Sequence, residues 1–167
     1  MSRAFVKESD SDNLTSDQPE RPQSPYTNYV TRSGLEQLNL RVQALLAQKA
    51  ALDKDGDLST QPERVAIERD LRYYEARVKS AELVDPAQQD GAGVHFGATV
   101  IVADKEGAQQ TFVIVGEDEA DAEIGKISWV SPLAKALLNA QVGEHVIWQR
   151  PLGDVELVVQ AIHKAEA

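Results

Sequence analysis

From residue 33 onward, apolar side chains recur at alternating three- and four-residue spacing. Leu35, Leu38, Val42, Leu45 and Leu52 mark the stripe, with Gln48 or Lys49 at its one polar step. This is the pattern of a helix that buries one seam against another helix, as in a coiled coil. Ser33, followed by Glu36 three residues later, supplies a capping box for its start. Gly56, after Asp53-Lys54-Asp55, suits the left-handed position that ends a helix. A second start signal follows at Thr60-Gln61-Pro62-Glu63, with an early proline and a second capping box. Ile67, Leu71, Tyr74, Val78 and Ala81 then continue the same rhythm. Two helices of about 20 residues joined by a tight acidic turn predict an antiparallel helical hairpin over 29–85, about 30 Å long, with its tip at 53–60. Arg41, Arg64, Arg69, Arg72, Arg77 and Lys79, set against Glu36, Glu63, Glu68, Asp70 and Glu75, read as its ordinary solvated surface.

Asp85-Pro86 stops the second helix in this reading, and 87–93 is a polar linker containing Gly91 and Gly93. Beyond it the period shortens to two. Segments 99–103, 111–115, 146–149 and 155–162 are rich in β-branched residues and bounded by turn-forming ones, so they predict strands. Ser131 and Pro132 open one short helix over 132–138 as N-cap and first residue. The fold class is therefore α+β: an N-terminal antiparallel coiled-coil hairpin, then an antiparallel β-sheet domain with one short helix over 86–167. Residues 1–28, rich in Ser, Asp and Pro and ending in Pro19-Glu20-Arg21-Pro22-Gln23-Ser24-Pro25, predict a disordered tail, with a docking peptide that orders on a partner as the alternative.

The absence of cysteine excludes disulfides, thiolate nucleophiles and Cys-ligated zinc. Charge narrows the partners. Residues 86–167 carry 12 acidic and five basic side chains, a net of −7 within the −10 of the whole chain. No segment has the basic excess with which proteins displace counterions from nucleic acid, so contact with DNA or RNA is expected only through a protein partner. No stretch is apolar and long enough to span a membrane, and 1–28 lacks the apolar core of a secretory signal, so a cytoplasmic location is expected. A monomer is the default because the two seams satisfy each other.

Candidate chemistry centres on the turn, where Asp53, Asp55 and Asp57 bring hard oxygen ligands together. They do not make an EF-hand. With Asp53 in the first position, Leu58 stands where glycine is required and Arg64 where the bidentate glutamate is required. Read from these residues alone, the turn is first a wet, solubilising loop; an acidic tip on a stiff rod that completes a metal site on another protein is the alternative. His95, His145 and His163 stand apart in sequence, and no HExxH, GxSxG or phosphate-binding glycine pattern is present, so an autonomous enzyme has little support. Trp129 and Trp148 read as core or rim aromatics, with a binding-surface role as the alternative for Trp129.

Several segments resemble a known family. Tyr29-Val30-Thr31-Arg32-Ser33-Gly34-Leu35-Glu36-Gln37-Leu38 is similar to the opening of the bacterial Gre transcript-cleavage elongation factors. Ser128-Trp129-Val130-Ser131-Pro132-Leu133-Ala134-Lys135-Ala136-Leu137-Leu138, then Val142-Gly143-Glu144, resembles that family's C-terminal signature. Phe96-Gly97-Ala98 and Val113-Ile114-Val115-Gly116 precede it, and together the matches span about residues 29–163. The resemblance implies a C-terminal domain of the FK506-binding-protein (FKBP-like) type that grips the rim of the RNA polymerase secondary channel. The hairpin then enters the channel and brings its acidic tip near the active-site Mg²⁺. There it helps hold a second Mg²⁺ and a water, so that the polymerase itself cleaves backtracked RNA. On this reading the chain is not an enzyme and holds no metal of its own. Asp57 and Asp55, with Asp53, assist the polymerase's Mg²⁺, and Trp129, Val130, Ser131 and Pro132 contact the polymerase.

Three departures bear on how far this carries. The family's tip reads Gly-Asp-Leu-x-Glu-Asn, whereas Gly56-Asp57-Leu58-Ser59-Thr60-Gln61 has Thr60 in place of the second acid. The arms are shorter by roughly one heptad each, which removes about 10 Å of reach. Val130 occupies a position that often holds an acid. The leading expectation is a Gre-family regulator that binds the secondary channel and modulates elongation, with stimulated cleavage as its extension. A non-cleaving channel binder that competes with full-length Gre factors is the first alternative. The others are a peptidyl-prolyl isomerase, from the fold implied for the C-terminal half, and a coiled-coil adaptor whose hairpin pairs with another helix.

Overall fold

The computed structural model describes residues 19–165; the part of the expected tail at 1–18 lies outside the described residues. Among these residues the chain forms three α-helices and seven strands. Helix α1 (Arg32–Asp55) and helix α2 (Gln61–Ser80) make the hairpin. Their seam is built from Leu45, Ile67 and Leu71, with Val42, Leu52 and Tyr74 against them. At 1.5 Å per residue, the 24 residues of α1 form an arm of about 36 Å.

The ends of the hairpin correct the expected caps. Thr31, not Ser33, caps α1: its backbone is extended, and its hydroxyl oxygen accepts a hydrogen bond from the Gly34 amide at 2.9 Å. Thr31 takes this role because it leaves strand β1 (Tyr29–Val30) already extended, which puts Ser33 inside the first turn. At the other end Gly56 adopts φ 59°, the left-handed conformation expected of it. Thr60 makes no side-chain cap for α2. Its hydroxyl instead donates to the Asp57 carbonyl at 2.7 Å, closing a 3₁₀ turn over Leu58–Thr60.

Helix α2 stops at Ser80, before the Asp85-Pro86 step expected to end it. Ala81 turns extended, and strand β2 (Glu82–Leu83) pairs in parallel with β1. This short ribbon closes the base of the hairpin, and tertiary pairing overrides a helical pattern that could have run on.

The remaining strands are β3 (Thr99–Ala103), β4 (Gln109–Val115), β5 (Lys126–Ser128), β6 (His145–Trp148) and β7 (Val155–His163). They form one sheet in the order β5-β4-β3-β7-β6. The sheet is antiparallel except at β4–β5, which pair in parallel with Val113 opposite Lys126. The all-antiparallel expectation is thus corrected at an edge strand of three residues, too short to show a period in sequence. Helix α3 (Pro132–Leu137) packs on the sheet. The core beneath it joins Val100, Val102, Ile114, Leu157 and Val159 to Leu133, Ala134 and Leu137.

The tail expectation fails for residues 19–28. Although this segment has no helix or strand, its side chains engage α2 and the β4–β5 loop. Arg21 lies 3.9 Å over the Tyr73 ring, Ser24 donates to Glu117 at 3.0 Å, and Asn28 is buried. Low apolar content does not prevent ordering when ionic and aromatic partners await on neighbouring elements.

Candidate functional site

The hairpin tip holds the three aspartates in three different situations. Asp53, in the last turn of α1, is ion-paired with the guanidinium of Arg64 across the turn. Arg64 also reaches Glu68 at 3.5 Å. Asp55 is the exposed final residue of α1. Asp57 caps the 3₁₀ turn, its carboxylate accepting from the Ser59 amide at 2.9 Å. That backbone hydrogen bond holds its carboxyl below the usual Asp range. Leu58, 88% exposed, stands at the apex beside these acids. No cluster of three or more His, Asp or Glu able to hold a metal occurs among the described residues.

Trp129, Val130, Ser131 and Pro132 turn the chain from β5 into α3. The Trp129 amide donates to the Val115 carbonyl at 3.0 Å, and the Ser131 amide to Ser128 at 2.9 Å. The Ser131 hydroxyl oxygen accepts from Ala134 at 3.2 Å as the N-cap, and Pro132 is exposed in the helix's first turn. Trp129 is half-buried because two rings meet it edge-on: Tyr29 at 5.1 Å and Tyr26 at 6.0 Å. Its indole therefore ties the N-terminal segment to the sheet, while Pro132 and Lys135 face a shallow groove with Ile147.

The foot of the hairpin meets the β4–β5 loop in a joint that sequence reasoning missed. Arg77, assigned above to the solvated surface, is only 2% exposed. Its Nε donates to Asp118 at 2.6 Å, its Nη2 donates to Asn28 at 2.8 Å, and Glu117 lies 3.8 Å away. Asn28 in turn donates to the Arg77 carbonyl at 2.8 Å. The Tyr73 hydroxyl donates to the other Asp118 oxygen at 2.6 Å. Burial, and secondarily this carboxylate, push Tyr73 up to about 12. Beside it the Thr31 hydroxyl donates to Glu119, itself 8% exposed, at 2.5 and 2.8 Å from its two oxygens. Two signals pointed here. Arg77 falls three residues after Tyr74, on the seam side of α2, and the acidic run Glu117-Asp118-Glu119 needs counter-charge and donors. Of the histidines, His145 is paired after all, with Glu156 at 2.8 Å across β6–β7.

The family described as "Transcription elongation factor, GreA/GreB, C-term" matches residues 88–164. Over 150 residues the chain is 34% identical to the transcription elongation factor GreA of Thioalkalivibrio sulfidiphilus, covering 80% of this chain and 95% of that one. The chain belongs to the Gre family. It is 39% identical over 97 residues to the transcription elongation factor GreB of Neisseria meningitidis serogroup B, and there it spans 60% of the relative's length. Among solved structures, GreA factor homolog 1 (Gfh1) of Thermus thermophilus aligns with 83% of this chain at 24% identity and a TM-score of 0.40.

Within a Gre-family chain the aromatic side chains of residues 86–167 have packing roles. Phe112 meets Trp148 at 6.5 Å, Phe96 meets Tyr29 at 6.1 Å, and Trp129 meets Tyr26 and Tyr29. The cleft beside β2 is lined by Leu83, Val84, Pro86 and Phe96 together with the polar Thr31, Arg32 and Asp85.

Proposed function

We propose that this chain is a Gre-type elongation factor that binds RNA polymerase at its secondary channel and modulates elongation. The observation that carries the reading is the acidic tip, with Asp53, Asp55 and Asp57 at the end of a stiff arm of about 36 Å. The arm stands on a domain that presents Pro132 at its surface. In this reading Val130, Ser131 and Pro132 meet the channel rim, and Trp129 supports them from beneath. The aspartates approach the polymerase's Mg²⁺, the only metal the function needs, and the chemistry remains the polymerase's own. DNA and RNA are engaged only through the elongation complex, which suits a chain of net charge −10.

A second reading, a channel occupant that does not stimulate cleavage, is favoured by the local geometry of the tip. Asp53 is already neutralised by Arg64, Asp57 is folded onto the Ser59 amide, and Thr60 replaces an acid. Asp55 is then the carboxylate best placed to reach outward. The test is cleavage of labelled RNA in arrested elongation complexes, with a full-length Gre factor as competitor. Cleavage that disappears in the Asp53/Asp55/Asp57→Asn variant supports the cleaving reading. Inhibition of the competitor without cleavage supports the occupant, and neither effect at saturating protein sinks both.

A further inference from the structure

We infer that residues 19–28 are a strap that fixes the angle between the hairpin and the sheet domain. The segment touches both bodies. On the hairpin, Glu20 accepts from the Arg72 guanidinium at 2.6 and 3.0 Å, and Arg21 is held between the Tyr73 ring and Asp70, 3.2 Å away. On the domain, Ser24 donates to Glu117 and Tyr26 sets its ring on Trp129. Past these anchors, at the end of the segment, Asn28 completes the hydrogen bonding of buried Arg77.

The position of the anchors gives the strap its leverage. The joint at Arg77 and the β1–β2 ribbon both lie at the foot of the hairpin, where contacts resist tilting over a short lever. Arg72 lies eight residues up α2 from Ser80, about 12 Å from the foot, so a contact there opposes the same tilt with greater torque. The strap is also built to hold tension. Pro19, Pro22 and Pro25 recur every third residue, the repeat of a polyproline II helix, which is semi-rigid and needs no internal hydrogen bonds. Glu20, Arg21 and Ser24 between them, and Tyr26 and Asn28 just after them, supply the contacts.

The inference concerns the free protein and stands whether or not the polymerase reading holds. Because the chain has no cysteine, spin labels attach only where cysteines are introduced. Exposed Lys54, in the last turn of α1, and exposed Glu106, in the β3–β4 turn, are suitable sites for Lys54→Cys and Glu106→Cys. Pulsed dipolar spectroscopy on the labelled full chain is expected to give one narrow distance distribution. Deleting residues 1–27, which spares Asn28, should broaden it or split it into two peaks. Deleting 1–18 should leave it narrow. Arg21→Ala with Tyr26→Ala, which alters only partly exposed side chains, should broaden it while helical circular dichroism is retained, and this variant decides the matter should the longer deletion fail to fold. A distribution already broad in the full chain, one unchanged in the double variant, or one equally broadened by deleting 1–18 overturns the strap.

Discussion

Replacing Arg77 with methionine is expected to cost far more than removing a surface charge. Methionine keeps a flexible, largely apolar stem in the space and removes the guanidinium. Asp118 then loses its 2.6 Å donor and Asn28 its 2.8 Å one, inside a joint where Arg77 itself is nearly sealed from water. Removing one partner of a fully buried ion pair costs about 3–5 kcal/mol. Here the Asp118 side chain, the closer partner, keeps 14% exposure, so water can partly solvate its orphaned carboxylate, and we expect a loss of about 2–3 kcal/mol. For a chain of this size that lowers the melting temperature by roughly 4–12 °C. Guanidinium unfolding followed by circular dichroism and by fluorescence, to which half-buried Trp129 contributes, gives the number directly. A cycle with Asp118→Asn isolates the pair and should return a coupling above about 1 kcal/mol. Because the pair is buried, the loss should persist at high salt. A change within about 0.5 kcal/mol, the range of ordinary surface substitutions, would refute the assignment of Arg77 to a buried joint.

Leu45→Ala, at a seam position 2% exposed, should cost about 2–4 kcal/mol, whereas Leu46→Ala, at a position 46% exposed, should stay within about 0.5; equal losses by chemical denaturation would contradict the seam. Tyr73 sets an alkaline limit. Its folded-state ionisation lies near 12 against 10.0 in the unfolded chain, so its contribution is present below pH 10 and is lost as pH rises toward 12. Tyr73→Phe should flatten that part of the stability–pH curve, and an unchanged alkaline slope would count against the burial of the Tyr73 hydroxyl beside Asp118. At Gly116 a Cβ would run into the carbonyl oxygen of Tyr29, so Gly116→Ala should displace β1 and weaken the Tyr29–Trp129 contact, seen as a change in tryptophan emission.

What could be read in the sequence was what repeats. The seam of α1 and α2 announces itself through Leu38, Leu45, Ile67 and Leu71, the long strands through their β-branched runs, and α3 through Ser131 and Pro132. The two-residue strands β1 and β2 and the three-residue β5 are shorter than any period and are set by their pairing partners. The acidic tip was legible as composition and spacing. That Arg64 takes up Asp53 was not, because the pairing crosses a turn whose geometry rests on Gly56 and the Thr60 hydroxyl. Arg77 was obscured by its own charge: on a helix that also carries the partly exposed Arg64 and Arg69 and the exposed Arg72, its spacing from Tyr74 and the acids at 117–119 were what marked it as different.

These hidden elements matter because the visible ones form a lever. Over an arm of about 36 Å, a tilt of about 10° at the base moves the tip by about 6 Å. A carboxylate contributes to a divalent cation only within about 2–2.6 Å, so a tilt that small separates a tip that reaches a metal from one that does not. On the proposed reading, the position of Asp55 and Asp57 is therefore governed less by the helices that carry them than by what holds the arm's angle: the strap at 19–28 and, at the foot, Arg77, Glu119 and the β1–β2 ribbon. Substitutions at that foot should alter what the tip does while leaving every tip residue intact. Thr31→Val tests this: it removes both the α1 cap and the hydrogen bond to Glu119, at a cost of about 1–2 kcal/mol. If it lowers tip-dependent activity on polymerase as much as a tip substitution while the hairpin stays helical, the foot sets the aim of the tip; if activity is unchanged at equal binding, the joint serves stability alone.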